Sequence, residues 1–206
     1  MWGLSLSVGQ GTAGFSTRGP LHCNVMSNTA QQPDATVGQM LAHVHRSDPR
    51  SPMYVPSSPT GVLLCHGCHE LNRCRMGLQR ETLCPDGIVV SELMCPKDAE
   101  GGPNVAHGGW TAGILDELVG HAMMLRQEFS VTGTLEVVFH KPMPIEIPLI
   151  GKSQVDKREG RKAFVSARIE LASNGALLAS AKAIMVKRPA DHFERHEQWL
   201  GTQVQP

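Results

Sequence analysis

Apolar residues recur at helical spacing between Trp110 and Gln127, in a stretch without proline. They form two stripes along the predicted helix: Ile114, Leu118, Ala122 and Leu125, and beside them Leu115, Val119 and Met123. Because apolar side chains cover most of its surface, the pattern predicts a helix buried on several sides rather than an amphipathic surface helix. A glycine-rich loop over residues 95–109 precedes it.

Strand-like segments flank this helix on both sides. Upstream, residues 61–94 are typical of short strands with turns, and residues 87–90 after Pro85-Asp86 predict one arm of a hairpin. Downstream, the pattern predicts four strands, at 131–140, 147–156, 163–171 and 176–186. Two turns are predicted among them, a charged one at Lys157–Gly160 and one at Ser173–Gly175. One buried helix followed by antiparallel strands predicts the α+β class.

Length and composition limit the possible functions. With 206 residues the chain is long enough for one domain with irregular termini, and too short for two domains of ordinary size. Lys plus Arg and Asp plus Glu number 19 each, so the total charge gives no support to a nucleic-acid partner. No apolar run approaches the roughly 18 residues of a membrane span. We therefore expect neither a nucleic-acid nor a membrane partner.

The N-terminal part of the chain differs from the rest. Residues 1–33 carry one basic side chain and no acid, which favours a disordered extension or a mis-called one with the start at Met26. A mitochondrial transit peptide is the alternative, and otherwise we expect a cytoplasmic protein. Residues 34–60 predict a short helix (34–46) and a proline-rich linker. At the other end, a polar tail over 189–206 includes a predicted short helix at 193–200.

One acid lies between the apolar stripes of the helix. Asp116 is costly to bury unless it is paired or faces a cavity, and a structural acid satisfied by a hydroxyl is the alternative explanation. The residues that open the helix favour a catalytic role. His107-Gly108-Gly109 lets a ligand approach the N–H groups of the first turn, which suit the oxyanion of acyl transfer. Gly108 is therefore a predicted binding residue.

The spacing of these residues predicts an obligate dimer. Gly109 and Asp116 are seven residues apart, which is about 10.5 Å along a helix axis. A base or nucleophile must lie within about 3 Å of the atom on which it acts, so one thioester cannot readily meet both groups from the same helix. We expect two shared sites in a homodimer, each with Gly109 of one chain facing Asp116 of the other. Assembly into a dimer of dimers is left open.

The segment VAHGGWTAGILDELVGHAM resembles the central helix of hotdog-fold acyl-CoA thioesterases of the PaaI-like group, in which an Asp follows the His of His-Gly-Gly by nine residues. The stretch VTGTLEVVFHKPMPIEIPLIGKSQVDKREGRKAFVSARIE resembles the next strand, the Lys/Arg-Pro-x-Pro turn and the EGR hairpin of that family. CHGCHELNRCRMGLQ is similar to the family's cysteine-containing opening. The resemblance implies an antiparallel sheet wrapped around one long central helix, in a hotdog domain over residues 61–188.

The resemblance also implies roles for single residues. Asp116 matches the family's general base or nucleophile, Gly109 its oxyanion donor and His107 the residue that orients this loop. Thr132 matches a Ser or Thr that helps to place the water. Four residues match basic side chains near the CoA phosphates: Lys157, Arg158, Arg161 and Lys162. The implied reaction hydrolyses acyl-CoA to free acid and CoA; CoA is part of the substrate, and neither a separate cofactor nor a metal is expected.

Two features leave alternatives open. Cys65, Cys68 and Cys74, with a nearby His or Cys84, offer soft ligands for zinc, whereas the favoured interpretation is a structural turn of reduced thiols. The function also has rivals. A hotdog hydratase or dehydratase would need an acid–base pair across the α and β carbons of the acyl group, and His107 is a candidate for it. A non-catalytic CoA-ester-binding or regulatory module would keep the fold without the reaction.

Overall fold

The computed structural model describes residues 55–189 and 191–204. The predicted N-terminal extension, the helix at 34–46 and most of the linker lie outside these residues. The described part contains three α-helices and eight strands: α1 His66–His69, β1 Leu78–Leu83, β2 Val89–Leu93, β3 Glu100–Gly102, β4 Val105–Ala106, α2 Gly108–Met124, β5 Ser130–Phe139, β6 Leu149–Glu159, β7 Lys162–Leu171, β8 Leu177–Lys187 and α3 His192–Gln203.

Six strands form one antiparallel sheet in the order β1-β2-β6-β7-β8-β5. The short hairpin β3–β4 stands apart and leads directly into α2. Nine residues of α2 are buried, and the helix packs against β2 and β5–β8. This arrangement confirms the predicted α+β class and the hotdog fold, in which a sheet wraps around one long helix.

The close approach of helix and sheet depends on a glycine in β6. A Cβ atom at Gly151 would lie 2.8 Å from both methyl carbons of Leu118, a fully buried residue of α2. Any side chain at 151 would therefore push the helix away from the sheet. Leu118 belongs to a stripe predicted from the sequence, and the structure confirms that the helix is buried on several sides.

Three element boundaries differ from the prediction. The charged turn at Lys157–Gly160 is wrong: β6 continues to Glu159, and the chain turns only at Gly160, whose φ is +57°. Strand pairing continues through these residues: Lys157 pairs with Phe164 on β7, and its Nζ lies 4.2 Å from the centroid of that ring. The glycine-rich loop contains the ordered hairpin β3–β4. The predicted helix starts earlier, at Gly108, and ends at Met124 rather than at Gln127.

The remaining elements follow the prediction closely. The hairpin arm at 87–90 is confirmed, because β2 pairs with β1 across the turn at 84–87. The tail carries α3, which covers the predicted 193–200. None of the helices in the described residues combines the length and the apolar content that a bilayer crossing requires.

Candidate active site

His107 caps the start of α2 with its own ring. Its backbone is extended, with φ −60° and ψ 138°, and its Nδ1 accepts a hydrogen bond of 2.9 Å from the N–H of Gly109. The first-turn donor that is predicted to bind an oxyanion is thus held by an imidazole in this structure. His107, Gly108 and Gly109 are all exposed, and we call these three residues the helix-start group.

The hairpin β3–β4 fixes the backbone of His107. The N–H of His107 donates to the carbonyl of Ala99 over 2.8 Å. Gly101 is in close backbone contact with His107, since a Cβ at 101 would be 2.6 Å from the Cα of His107. This close contact leaves no room for a side chain at position 101. The backbone of His107 is therefore held by the segment that precedes the helix.

Asp116 and Thr132, which we call the acid pair, are in direct contact. The hydroxyl of Thr132 donates to Oδ1 of Asp116 over 2.7 Å, and Asp116 is half-buried while Thr132 is exposed. A bulge in β5 creates this contact. The register shifts between Thr132 and Thr134, so Thr132 pairs with the buried Met185 and shares the helix-facing side with Leu135. Strict alternation along the strand would place Thr132 on the outer face.

Within one chain the acid pair and the helix-start group lie towards opposite ends of β5. Phe139, at the end of β5, flanks Gly108: its ring carbons would lie 3.8–3.9 Å from a Cβ at 108. Thr132 is near the beginning of the same strand. Phe139, Gly108 and Thr111 line a cleft of about 300 Å³ at the start of α2. This cleft could not be predicted from sequence, because residues 108 and 139 meet only in the folded chain.

The four basic residues predicted near CoA phosphates lie at the β6–β7 hairpin. Lys157 is paired with Glu159 at 2.8 Å, and Arg158 is paired with Glu128. Arg161 and Lys162 are exposed. Lys162 pairs in register with Val186, next to the residue that pairs with Ser130 at the start of β5. The hairpin therefore lies at the acid-pair end of the sheet, away from the helix-start group of its own chain.

The second acid of α2 has a structural partner. Glu117 is 3.3 Å from Nε2 of His121, and Nδ1 of His121 is 2.7 Å from the fully buried carboxylate of Glu81. The buried hydroxyl of Ser91 donates to the other oxygen of Glu81. Burial lowers the pKa of His121, but the hydrogen bonds and negative charges of Glu117 and Glu81 outweigh it and raise this pKa to about 9. Glu81 and His121 are 40 residues apart in the chain, so this contact was not predicted from sequence.

The cysteines of the segment 65–79 do not form a metal-binding cluster. In the ranges 55–189 and 191–204, no group of three or more His, Cys, Asp or Glu side chains has an arrangement that could hold a metal ion. Burial raises the pKa of Cys74 to about 11, so this thiol is protonated at neutral pH. The geometry gives no support to the zinc alternative.

Part of the chain is similar to a known protein family. Residues 103–177 match the family model described as the thioesterase superfamily. This segment includes the helix-start group, the acid pair and the basic hairpin. The family match and the fold confirm the predicted resemblance to hotdog-fold acyl-CoA thioesterases.

Among individual proteins, the chain is similar to acyl-coenzyme A thioesterase THEM4 of Mus musculus, with 33% identity over 88 residues, 43% of this chain and 38% of that protein. The THEM4 protein of Xenopus laevis is also 33% identical over 88 residues. These alignments cover about two fifths of the curated relatives' length. One crystal structure of a thioesterase superfamily protein has a TM-score of 0.49 and 26% identity, covering 52% of each chain.

Proposed function

We propose that this chain hydrolyses the thioester of acyl-CoA to a free acid and CoA, in a homodimer with two shared sites. The contact between Asp116 and Thr132 carries the proposal. A carboxylate with one oxygen held by a hydroxyl keeps a fixed orientation while its second oxygen addresses a water or the thioester carbon. The family match and the relatives support the reaction class.

In the proposed reaction Asp116 acts as general base or nucleophile. As a base it takes a proton from water, which then attacks the thioester carbon. As a nucleophile it attacks that carbon itself and expels the CoA thiolate; water then cleaves the resulting anhydride into the free acid and the Asp116 carboxylate. In both routes the carbonyl oxygen gains negative charge, and the N–H of Gly109 donates to it. In the free protein this N–H donates to Nδ1 of His107 over 2.9 Å. When substrate binds, that hydrogen bond is lost or is shared with the carbonyl oxygen.

The edge strand β5 supports the dimer. It borders the sheet, and its last residues leave large apolar surface in water: Val138 is 44% and Phe139 57% exposed. Such an edge favours pairing with another strand. Two β5 strands paired antiparallel about a two-fold axis would bring the Ser130 end of one against the Phe139 end of the other. The acid pair of one protomer then approaches the helix-start group of its partner.

The same pairing accounts for the position of the basic hairpin. Arg161 and Lys162 lie at the acid-pair end of their own sheet, so they too would approach the partner's helix-start group. An acyl-CoA whose thioester lies between the two groups would then extend its phosphates towards exposed basic side chains. We assign Arg161 and Lys162 this role ahead of Lys157 and Arg158, which are engaged with Glu159 and Glu128.

The reaction is tested by thiol release from a panel of short, long and aromatic acyl-CoA substrates. The proposal predicts release that is lost in Asp116→Asn. Absence of release from every substrate would refute the proposed function. Hydration of a 2-enoyl-CoA without thiol release would instead favour the hydratase.

The shared site is tested by mixing two inactive variants, Asp116→Asn and Gly109→Ala. A Cβ at 109 would lie 2.9 Å from Nδ1 of His107, so this variant disturbs the helix-start group. Each mixed dimer of a shared-site enzyme has one intact site, and random exchange should restore about one quarter of wild-type activity. No recovery despite confirmed subunit exchange would place each site within one chain. Gly120→Ala, in the same helix with nothing within 4 Å of its Cβ, is the matched control.

A further inference from the structure

Two cysteines of the opening segment form a turn that is not used by the proposed hydrolysis. Cys65 is the N-cap of the one-turn helix α1, and Cys68 lies within it. The N–H of Cys68 donates to the carbonyl of Cys65 over 2.9 Å. A turn closed in this way keeps its end Cα atoms within about 7 Å, and disulfides span about 4.4–6.8 Å. The backbone is thus suited to a disulfide.

The two thiols are neighbours but differ in exposure. After burial, the nearby Cys68 thiol is the next cause that raises the pKa of Cys65. Cys65 is exposed, whereas Cys68 is only 2% exposed. In such an arrangement the exposed thiol can react with an external molecule. The buried thiol beside it can then attack the exposed sulfur and form the disulfide.

Arg75 lies against the same turn. Its backbone N–H donates to Sγ of Cys68 over 3.4 Å. Its guanidinium group would be 3.2 Å from a Cβ at Gly67, one of the two residues between the cysteines. A backbone donor thus meets the inner sulfur, and a cationic side chain borders the turn that holds it.

We propose that Cys65 and Cys68 form a reversible dithiol–disulfide couple that closes by exchange with a small-molecule disulfide. The Cys65 thiolate attacks one sulfur of that molecule, which forms a mixed disulfide and releases one thiolate. The Cys68 thiolate then attacks Sγ of Cys65, which forms the Cys65–Cys68 bond and releases the second thiolate. The two protein thiols lose two protons and two electrons, and the small disulfide is reduced to two thiols.

Cys74 is the competing partner for Cys68. It is buried, at 8% exposed, and its pKa of about 11 leaves little thiolate. Partial burial and the Cys68 thiol also raise the pKa of Cys65, so exchange is expected to be slow at neutral pH. The experiment is therefore carried out at about pH 9, where ordinary thiols ionise.

The test treats the folded, reduced protein with oxidised glutathione, quenches with acid, blocks the remaining thiols under denaturing conditions and maps the tryptic peptides. Cleavage after Arg73 separates the Cys65–Cys68 pair from Cys74. We expect the 51–73 peptide to be unalkylated, lighter by two hydrogen atoms, and restored by a reductant. Cys68→Ser should stop at a glutathione adduct on Cys65, and Cys65→Ser should leave Cys68 free for alkylation.

Three results in the wild-type protein would overturn the proposal. These are full alkylation of both cysteines after treatment, a persistent glutathione adduct on Cys65, and a peptide that joins Cys68 to Cys74. Circular dichroism before and after treatment ensures that the measurement reports on the folded chain. Because the disulfide is detected in the wild-type protein, the result does not depend on the folding of a variant or on thioesterase activity.

Discussion

The buried pair of His121 and Glu81 predicts a loss of stability in mild alkali. The pKa of His121 rises from 6.5 to about 9 in the fold, because Glu117 and Glu81 hold the imidazolium against the effect of burial. A shift of this size corresponds to about 3 kcal/mol, at about 1.4 kcal/mol per pKa unit. Since the folded pKa lies above the unfolded one, this contribution is fully present below pH 6.5 and is lost as the pH rises through 9.

The measurement is equilibrium urea unfolding at fixed protein concentration, under reductant, at several pH values from 6 to 9. The reference is the double variant Glu81→Gln/His121→Gln, which removes both charges and leaves no buried carboxylate without its partner. We expect the wild-type protein to lose stability relative to the double variant as the pH rises across this range. The total loss in unfolding free energy is about 3 kcal/mol and is complete only above pH 9. A difference that stays constant would show that His121 is not a buried cation.

Two buried cysteines also make the fold less stable in alkali, in both proteins alike. Burial raises the pKa of Cys74 and of Cys95 from 9.0 to about 11. Both thiols are therefore neutral in the fold while they ionise in the unfolded chain between pH 9 and 11, which lowers stability further. These thiols are present in both proteins, so the subtraction removes their contribution.

Three substitutions test the proposed site through kcat and KM for thiol release. Asp116→Asn should abolish turnover while sedimentation shows an unchanged assembly; wild-type turnover would refute the mechanism. Thr132→Ala should lower kcat by about 10–100-fold through loss of one positioning contact, with Thr132→Ser close to wild type; an equal loss in both variants would argue against the hydroxyl. Gly109→Ala should lower activity strongly while Gly120→Ala does not; equal effects would mean that the loss comes from the helix rather than from its start.

Local sequence features predicted much of this fold because they act over a few residues. The buried helix follows from apolar spacing, and the turn at Ser173–Gly175 follows from residues that tolerate its backbone. The boundaries that failed depend on partners distant in sequence. Residues 157–159 are polar and charged, yet they remain in β6 because β7 pairs with them and Phe164 lies beneath Lys157.

For the site, the sequence by itself determined which residues are available and how far apart they lie on one helix. The seven-residue interval from Gly109 to Asp116 fixes their separation along α2, and this interval is the basis for predicting that one chain is not enough. Only the tertiary structure decided what surrounds them. The bulge in β5 turns Thr132 towards Asp116, and the segment that precedes α2 holds the backbone of His107. These contacts join segments that strand register brings together, and register is set by the whole sheet rather than by neighbouring residues.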